Sequence, residues 1–134
     1  MFELNEDQQA LVEMVRDFAA DKLAPHALEW DATSHFPTDV LAEAGELGMG
    51  GIYVSEEHGG SGLTRSDAVL IFEELAKADP SIAAYISIHN MVVWMIDAFG
   101  TEQQRSRWLP GMLQMQQLGA YCLTEPGIGS DAAA

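Results

Sequence analysis

Apolar side chains recur at helical spacing along most of the chain. Five of them lie at helical spacing near the start: Leu11, Met14, Val15, Phe18 and Leu23. With acidic residues between them, this pattern predicts an amphipathic first helix over about Glu6–Leu23. Asn5 and Gln8 form a capping-box signal at its start, and the helix is expected to end before Pro25.

Start and stop signals predict the next two helices. Pro25–Asp31 is expected to form a short second helix that packs Leu28 and Trp30 inward. The run Phe36–Asp39, Phe-Pro-Thr-Asp, is typical of a helix start, because proline is favoured at the first helical position and acids in the opening turn. The third helix then ends near Gly48, a natural C-terminal cap.

A glycine-rich connection separates the third and fourth helices. Gly50–Val54 is predicted as a short extended piece and Ser55–Leu63 as a loop. A Glu-Glu-His run in this loop ends at His58. It is interpreted as solvated, because three consecutive residues cannot converge on one metal ion in a regular element, and no metal site is predicted. Thr64 is the expected N-cap of the fourth helix, which extends to about Ala78.

The fifth helix carries the longest apolar pattern. It is predicted over Pro80–Ala98, with Asp79 as its N-cap, and apolar residues surround nearly its whole circumference. Such a helix is expected to be buried in the core, and its interspersed polar residues argue against a membrane span. His89 and Asn90 are expected to be hydrogen-bonded core groups, with substrate contacts as the alternative.

A sixth helical region precedes one predicted strand. Thr101 and Gln104 supply a capping box, and Pro110 is expected to divide the region into two short helices. Three apolar residues that follow are interpreted as core or subunit packing: Met112, Leu113 and Met115. The apolar run Leu118–Leu123 then predicts a strand that opens into a glycine-containing loop.

The loop after this strand has the composition of an anion-binding turn. Gly127 and Gly129 let the backbone adopt positive φ and let a ligand approach the main chain closely. Consecutive N–H groups, with the Ser130 hydroxyl, form a donor site suited to a diphosphate. The Thr124 hydroxyl, at the strand end, is placed to face a planar ring. The alternative is a polar exit loop that binds nothing.

Composition narrows the function further. The chain has 134 residues, six basic against 21 acidic, and a formal charge of −15. This charge argues against nucleic acid and anionic membranes as partners, and leaves Arg65, Arg105 and Arg107 as candidates for binding a coenzyme-A phosphate. Cys122 is the single cysteine and is expected to be a buried thiol in a reducing compartment. No signal peptide is visible, so a cytoplasmic protein is predicted.

The segment Tyr121–Asp131, Tyr-Cys-Leu-Thr-Glu-Pro-Gly-Ile-Gly-Ser-Asp, resembles the flavin-binding signature of the acyl-CoA dehydrogenases. The resemblance implies FAD as cofactor and assigns ten residues to it: Tyr121, Cys122, Leu123, Thr124, Glu125, Pro126, Gly127, Ile128, Gly129 and Ser130. Main chain at Leu123 and Thr124 would address the N5 edge of the flavin, and Ser130 the diphosphate. The family usually has a small residue at the position of Ile128. A β-branched residue such as isoleucine tolerates positive φ poorly.

The fifth helix carries a second part of the resemblance. Ala84–Met91, Ala-Tyr-Ile-Ser-Ile-His-Asn-Met, and Trp94–Asp97 are most similar to the branch of the family that acts on isobutyryl-CoA. In the family this helix forms one wall of the acyl pocket. The resemblance therefore implies Ser87 and Met91 as substrate contacts, together with Ser130. Large side chains along that wall would suit a small branched acyl group.

Over the whole chain, the resemblance implies an all-α N-terminal helical domain of about six helices, residues 1–117, and the first strand of a middle β-domain, residues 118–134. It also implies α,β-dehydrogenation of acyl-CoA, an electron-transfer flavoprotein as electron acceptor, and a homotetramer when intact. The family protein is much longer, and its glutamate base comes after the matched part. No catalytic residue is therefore assigned, Glu125 stays in the flavin motif, and the fragment alone is expected to be inactive.

A different class of protein is the alternative. A non-catalytic helical bundle would pair with itself or with another chain through its exposed apolar face. Flavin-dependent monooxygenases of the same fold are a further possibility, which the Thr-Glu-Pro signature disfavours. Bound flavin distinguishes the enzyme from the bundle, because only the enzyme needs it.

Overall fold

The computed structural model describes residues 3–133, and within them the chain is helical. Its six α-helices are α1 (Glu6–Phe18), α2 (Ala27–Thr33), α3 (Thr38–Glu46), α4 (Arg65–Ala78), α5 (Pro80–Phe99) and α6 (Glu102–Leu113). A π-helical turn, Ala19–Leu23, continues α1, and a 3₁₀ turn, Glu56–His58, lies between α3 and α4. The predicted all-α domain of six helices is confirmed.

Three helices begin with capping boxes, of which the sequence predicts those of α1 and α6 and the N-cap of α4. At α1 the Asn5 side chain accepts from the backbone N–H of Gln8, and the Gln8 side chain accepts from the backbone N–H of Asn5. α4 and α6 begin in the same way at Thr64 and Thr101. Asp79 caps α5 by accepting from two backbone N–H groups. These caps are predictable because the first N–H groups of a helix have no partner inside it.

A left-handed glycine terminates α3, as predicted. Gly48 has a φ of +84°. Its N–H donates to Gly45 O at 2.9 Å, and the N–H of Met49 donates to Ala44 O at 3.0 Å. This pair of bonds is a Schellman motif, which satisfies carbonyl groups at the end of a helix and requires a residue that tolerates positive φ.

The main core lies where α4 meets α1 on one side and α5 on the other. Ile71 and Leu75 of α4 belong to one buried cluster with Val15 of α1 and Ile86 of α5. A second, smaller cluster joins α5 to α6 through three buried residues: Val93, Leu109 and Leu113. α5 is therefore the helix shared by both clusters.

One face of α5 is exposed, so the prediction that this helix is buried on nearly every side is wrong. Ile86, His89 and Asn90 are buried, whereas Phe99 is 76% exposed. In the described part of the chain, α5 is also the one helix whose length and mean hydropathy of 1.4 would suit a membrane span. Core helices of soluble proteins have the same features, and the buried polar side chains of α5 pack inside the bundle.

Two predictions near α2 and α6 are wrong for geometric reasons. Leu28 is 88% exposed, whereas Trp30 packs on the core. Positions two apart on a helix differ by about 200°, so both cannot face inward. α6 continues through Pro110 as one helix. Proline removes the N–H that would bond Ser106 O, and both residues are exposed in this helix, where water can satisfy that carbonyl.

The connection after α3 turns back on itself and is not the extended piece that was predicted. Gly50–Val54 forms consecutive turns. Its backbone groups bond the loop that follows, with Leu63 N donating to Ile52 O and Gly62 N donating to Val54 O, both at 2.9 Å. These bonds join residues eight and eleven positions apart in the chain and link the turns to the loop.

The predicted strand, Leu118–Leu123, pairs with no other strand among residues 3–133. A strand needs a neighbour to complete its hydrogen bonds, and the described chain contains only an isolated bridge between Glu125 and Ile128. Cys122 lies in this segment and is exposed, so the prediction of a buried thiol is wrong. The division at residue 117 into a helical domain and the start of a β-domain stays a prediction.

Glu74 is buried and links α1 to α4 through an ion pair with Arg16, whose side chain is 59% exposed. Its carboxylate accepts from Arg16 Nε and Nη2, both at 3.1 Å, and from Lys77 Nζ at 2.8 Å. The hydrogen bond from Arg16, followed by that from Lys77, holds the pKa of Glu74 below its ordinary value of 4.5. As the pH falls, Glu74 is therefore protonated in the unfolded state before it is protonated in the folded state. The stability that Glu74 contributes is present above pH 4.5 and is lost as the pH falls through the lower folded value.

We predict that Glu74→Gln lowers the free energy of unfolding at pH 7 by about 1.5 kcal/mol, because hydrogen bonds to a charged group are lost. The variant should also lose less stability than the wild type when the pH is lowered from 7 to 3. Urea denaturation at pH 7 and at pH 3 measures both effects. Glu73→Gln is the matched control, since the Glu73 side chain is 60% exposed and pairs only with Lys77. An unchanged pH 3 to pH 7 difference in Glu74→Gln would contradict the prediction.

Candidate functional site

The candidate cofactor loop, Tyr121–Ser130, leaves the helical body after α6. Its one internal hydrogen-bonded feature in the described chain is a tight turn. Glu125 N donates to Ile128 O, and Ile128 N donates to Glu125 O, both at 3.0 Å. Pro126 and Gly127 occupy the two central positions of this turn. The turn gives the loop a defined shape.

The conformation of the loop differs from the prediction at its glycines. Within residues 3–133, the glycines at positive φ are Gly48, Gly59 and Gly62, so Gly127 and Gly129 do not use the left-handed region. Ile128 is likewise not among the non-glycine residues at positive φ. It forms the isolated bridge, which is an extended conformation that suits a β-branched side chain. Ile128 therefore fits this loop without backbone strain.

Access to the main chain is what the two glycines provide. A Cβ added to Gly127 or to Gly129 would meet no atom within 4 Å. Nine of the ten predicted cofactor residues are exposed, and Ile128 is half-buried. In the described chain, the hydroxyls of Thr124 and Ser130 are absent from every side-chain hydrogen bond within the protein. The loop therefore presents backbone N–H groups and two hydroxyls to solvent, as an anion-binding turn would. The assignment of these residues to FAD stays a prediction.

An apolar cleft lies beside the start of this loop. Its volume is about 580 Å³, and it is bounded by α5, α6 and the segment 117–121. Its apolar lining includes Val92, Met95, Ile96, Trp108, Leu118 and Tyr121. Tyr121 therefore belongs both to the cleft and to the candidate cofactor loop, so the two features are continuous.

The predicted substrate residues do not line this cleft. Ser87 and Met91 are half-buried residues one turn apart on α5. The Ser87 hydroxyl donates to Ala84 O at 2.7 Å, a bond within the helix. Ser130 is exposed in the loop. The structure does not bring these three residues together, and their role in binding substrate stays a prediction.

His89 and Asn90 are hydrogen-bonded core groups, the first of the two predicted alternatives. Asn90 Oδ1 accepts from Ile52 N at 2.7 Å, and Nδ2 donates to Met49 O at 2.7 Å and to Ile86 O at 2.9 Å. Both side chains are fully buried. Burial lowers the pKa of His89 below its ordinary value, which keeps the ring neutral near pH 7.

The three arginines considered for coenzyme A each contact a neighbouring group of the helical domain, although Arg65 and Arg107 are exposed. Arg65 lies over the ring of Tyr53 at 3.5 Å and over that of Trp94 at 4.9 Å, both to the ring centroid. Arg105 Nε donates to Asp97 O at 2.8 Å. Arg107 lies over the ring of Trp108 at 4.6 Å. These contacts give each guanidinium a structural role in packing.

His58 has a specific partner. Its Nδ1 lies 2.5 Å from Asp97 Oδ1, and Asp97 Oδ2 accepts from Ser55 N at 3.2 Å. The loop that was interpreted as solvated is therefore tied to the end of α5. The contact spans 39 residues of sequence, and no local pattern predicts it.

Tyr85 and Gly119 lie near the loop and were not predicted to have a role there. The Tyr85 hydroxyl donates to Gly119 O at 3.3 Å, and Gly119 N donates to His89 Nδ1 at 3.0 Å. Tyr85 and His89 are four apart on α5, so their spacing predicts a shared face. The sequence carries no signal that this face meets Gly119.

A helical domain of six α-helices that ends in an exposed glycine loop beside an apolar cleft defines a class of protein. Residues 5–116 match the family described as acyl-CoA dehydrogenase, N-terminal domain, and the chain belongs to that family. The resemblance stated from the sequence is confirmed.

Known relatives show which branch of the family is similar. The chain is 55% identical over 129 residues to isobutyryl-CoA dehydrogenase, mitochondrial, of Dictyostelium discoideum, covering 96% of this chain and 31% of that protein. It is 50% identical over 130 residues to the Bos taurus protein of the same name, covering 97% of this chain and 31% of that protein. The predicted similarity to the isobutyryl-CoA branch is confirmed. The chain spans about a third of the length of these relatives.

A solved structure gives the same fold. The acyl-CoA dehydrogenase of Bacillus anthracis, solved in complex with FAD, has a TM-score of 0.85 and 34% sequence identity. The match covers 97% of this chain and 22% of that one. The helical arrangement described above is therefore that of an acyl-CoA dehydrogenase over nearly the whole chain.

Proposed function

We propose that this chain is the N-terminal part of an FAD-dependent acyl-CoA dehydrogenase that acts on a short, branched acyl-CoA. The observation that carries the proposal is the loop Tyr121–Ser130, which has the family's flavin signature and is open to solvent. The similarity to two isobutyryl-CoA dehydrogenases supports the branched substrate.

The residues of the loop suit a flavin nucleotide. The main chain at Gly127 and Gly129 is accessible, since an added Cβ would meet nothing within 4 Å. Backbone N–H groups and the Ser130 hydroxyl would hold the diphosphate. Main chain at Leu123 and Thr124, with the Thr124 hydroxyl, would hold the N5 edge of the ring. FAD, when bound, supplies the acceptor for the hydride that leaves Cβ of the acyl group.

The helical body would orient the substrate and exclude water. The exposed apolar face of α5 would form one wall of an acyl pocket, with Ser87 and Met91 on it. An apolar wall favours the acyl chain over water and strengthens electrostatic interactions at the reacting atoms. Glu125 sits in the exposed turn of the loop and is not proposed as the base that removes the α-proton.

Partners and location are part of the same proposal. The resemblance implies an electron-transfer flavoprotein as electron acceptor and a homotetramer of the intact protein. A cytoplasmic location stays a prediction from the sequence. The net charge of −15 supports partners that are neither nucleic acid nor an anionic membrane.

The second candidate function is a self-associating helical bundle. Exposed apolar side chains in the cleft favour it, since Phe99 is 76% exposed and Tyr121 is 41% exposed. A contiguous exposed apolar patch marks a surface that another chain or domain covers. The two candidates differ in whether flavin is needed.

We expect the complete gene product to purify with bound FAD, and isobutyryl-CoA to bleach its visible absorption. Its kcat/KM with isobutyryl-CoA should exceed that with octanoyl-CoA by at least about tenfold, because pocket size discriminates acyl chains. Dye-linked reduction assays with both thioesters measure this ratio. A colourless protein that associates with itself and takes up no added FAD would contradict the enzyme proposal and support the helical bundle.

A further inference from the structure

Gly119 is the last residue before the candidate flavin loop whose backbone the helical body holds. Its N–H donates to His89 Nδ1 at 3.0 Å, and its C=O accepts from the Tyr85 hydroxyl at 3.3 Å. Beyond Gly119, as far as residue 133, the hydrogen bonds in the described chain are the two that join Glu125 and Ile128. α5 thus fixes both polar groups of one residue at the root of the loop.

His89 connects this anchor to the end of α6. Because Nδ1 accepts from Gly119, the ring proton is on Nε2, which donates to Met112 O at 2.9 Å. The side chain is fully buried, and its lowered pKa keeps it in this neutral form. One imidazole ring therefore holds the last turn of α6 and the first residue of the exposed segment at a fixed separation.

Close packing adds a third restraint. A Cβ added to Gly119 would lie 3.1 Å from Val92 Cβ and 3.0 Å from Met112 Cε. The first of these contacts is with a branch point on α5 and cannot be relieved by rotating a flexible side chain. Glycine at this position lets the main chain lie directly against α5, where Tyr85 and His89 reach it.

We propose that Tyr85, His89 and Gly119 form a clamp that sets the position of the flavin loop, with Tyr85 and His89 as positioning residues. The inference rests on the proposed function of Tyr121–Ser130. Five residues of extended chain from Gly119 to Thr124 span about 17 Å. A rotation of about 5° at the clamp would therefore displace Thr124 by about 1.5 Å. Displacements of this size are large for groups that align a cofactor.

The test compares Tyr85→Phe and Gly119→Ala with wild type in the complete gene product. Tyr85→Phe removes only the hydroxyl that bonds Gly119 O, and it retains the ring that packs edge-on against Phe36. Tyr53→Phe is the matched control, because it also removes the hydroxyl of a half-buried tyrosine but lies outside the clamp. Apoprotein is titrated with FAD, the visible spectrum is recorded at saturation, and a urea midpoint is measured without FAD.

We expect Tyr85→Phe to raise the dissociation constant for FAD about fivefold, because a loop no longer held at Gly119 must be ordered when FAD binds, at a cost comparable to one ordinary hydrogen bond. Gly119→Ala should raise it further and alter the visible bands of the bound flavin. Tyr53→Phe should leave both unchanged. The urea midpoint of the Tyr85→Phe apoprotein should stay near wild type, which separates positioning of the loop from general loss of stability.

Two results overturn the clamp. The first is wild-type affinity and an unchanged spectrum in both variants. The second is a loss of affinity that only follows the loss of apoprotein stability, whether or not Gly119→Ala folds. If wild type itself takes up no FAD, the proposed function fails and the clamp fails with it. If wild type binds FAD and the variants match it, only the clamp fails.

Discussion

Replacing Asn90 with alanine should lower the free energy of unfolding by about 4 kcal/mol, a large fraction of the about 5–15 kcal/mol of a typical domain. The amide of Asn90 is fully buried and joins α5 to the turn after α3. Its Oδ1 accepts from Ile52 N, and its Nδ2 donates to Met49 O, both at 2.7 Å. Alanine leaves these two buried backbone groups without a partner, and each costs about 1–3 kcal/mol. The cavity adds to the loss.

Equilibrium urea denaturation, followed by far-ultraviolet circular dichroism, measures this change. Ser87→Ala is the matched control on the same helix, because the Ser87 hydroxyl is bonded only to Ala84 O at a half-buried position. It should change the free energy of unfolding by less than about 0.5 kcal/mol. An Asn90→Ala loss below about 1.5 kcal/mol would mean that the turn relaxes to re-pair Ile52 and Met49, against the prediction.

The features that could be predicted from the sequence are those set by neighbours along the chain. Asn5 with Gln8, and Thr64 with Asp67, satisfy N–H groups three residues away, so the pattern is sufficient. Gly48 at the end of α3 is predictable for the same reason, because the Schellman bonds lie within one turn. Six helices follow from such local signals together with the apolar period.

The errors arise where a distant contact or a missing neighbour decides the outcome. Gly50–Val54 is compact because the Asn90 amide on α5 takes up the backbone groups at Met49 and Ile52. Cys122 was expected to be buried because its run is apolar, yet burial requires a second layer, and residues 3–133 provide none over it. Apolar composition shows that a segment can be buried. It does not show whether the surface that would cover the segment lies in the described chain.

The candidate site shows the same division. The loop can be recognised from the sequence, because the order of glycines and hydroxyl residues in Tyr121–Ser130 is the signature itself. The attachment of the loop to the helices cannot be predicted in this way, because Gly119 contacts Tyr85 and His89 across 34 and 30 residues of sequence. Such contacts exist only once α5 and α6 have packed. The residue types of the loop are therefore given by the local sequence, whereas its position is set by the tertiary structure.

Gly50→Ala should lower the free energy of unfolding by about 3 kcal/mol, although the change adds only one methyl group. This is the second-largest effect that we predict. A Cβ on Gly50 would lie 2.2 Å from Leu113 O and 3.0 Å from Met112 O. These are backbone atoms in the last turn of α6 and cannot rotate away, so α6 must move or the turn must open. Met112 O also accepts from His89 Nε2. The displacement would therefore reach the base of the flavin loop as well as the core.

Gly127→Ala is the control that isolates this steric effect. Neither Gly50 nor Gly127 has a positive φ, and a Cβ at Gly127 would meet nothing within 4 Å. The Gly127 variant should therefore unfold within about 0.5 kcal/mol of wild type. Urea denaturation of the two variants compares one added methyl group in a packed and in an open place. If both variants lose the same free energy, glycine at position 50 is needed for something other than the close approach of α6. If the difference is about 3 kcal/mol, the contact between Gly50 and α6 fixes how tightly the turn after α3 can pack against α6.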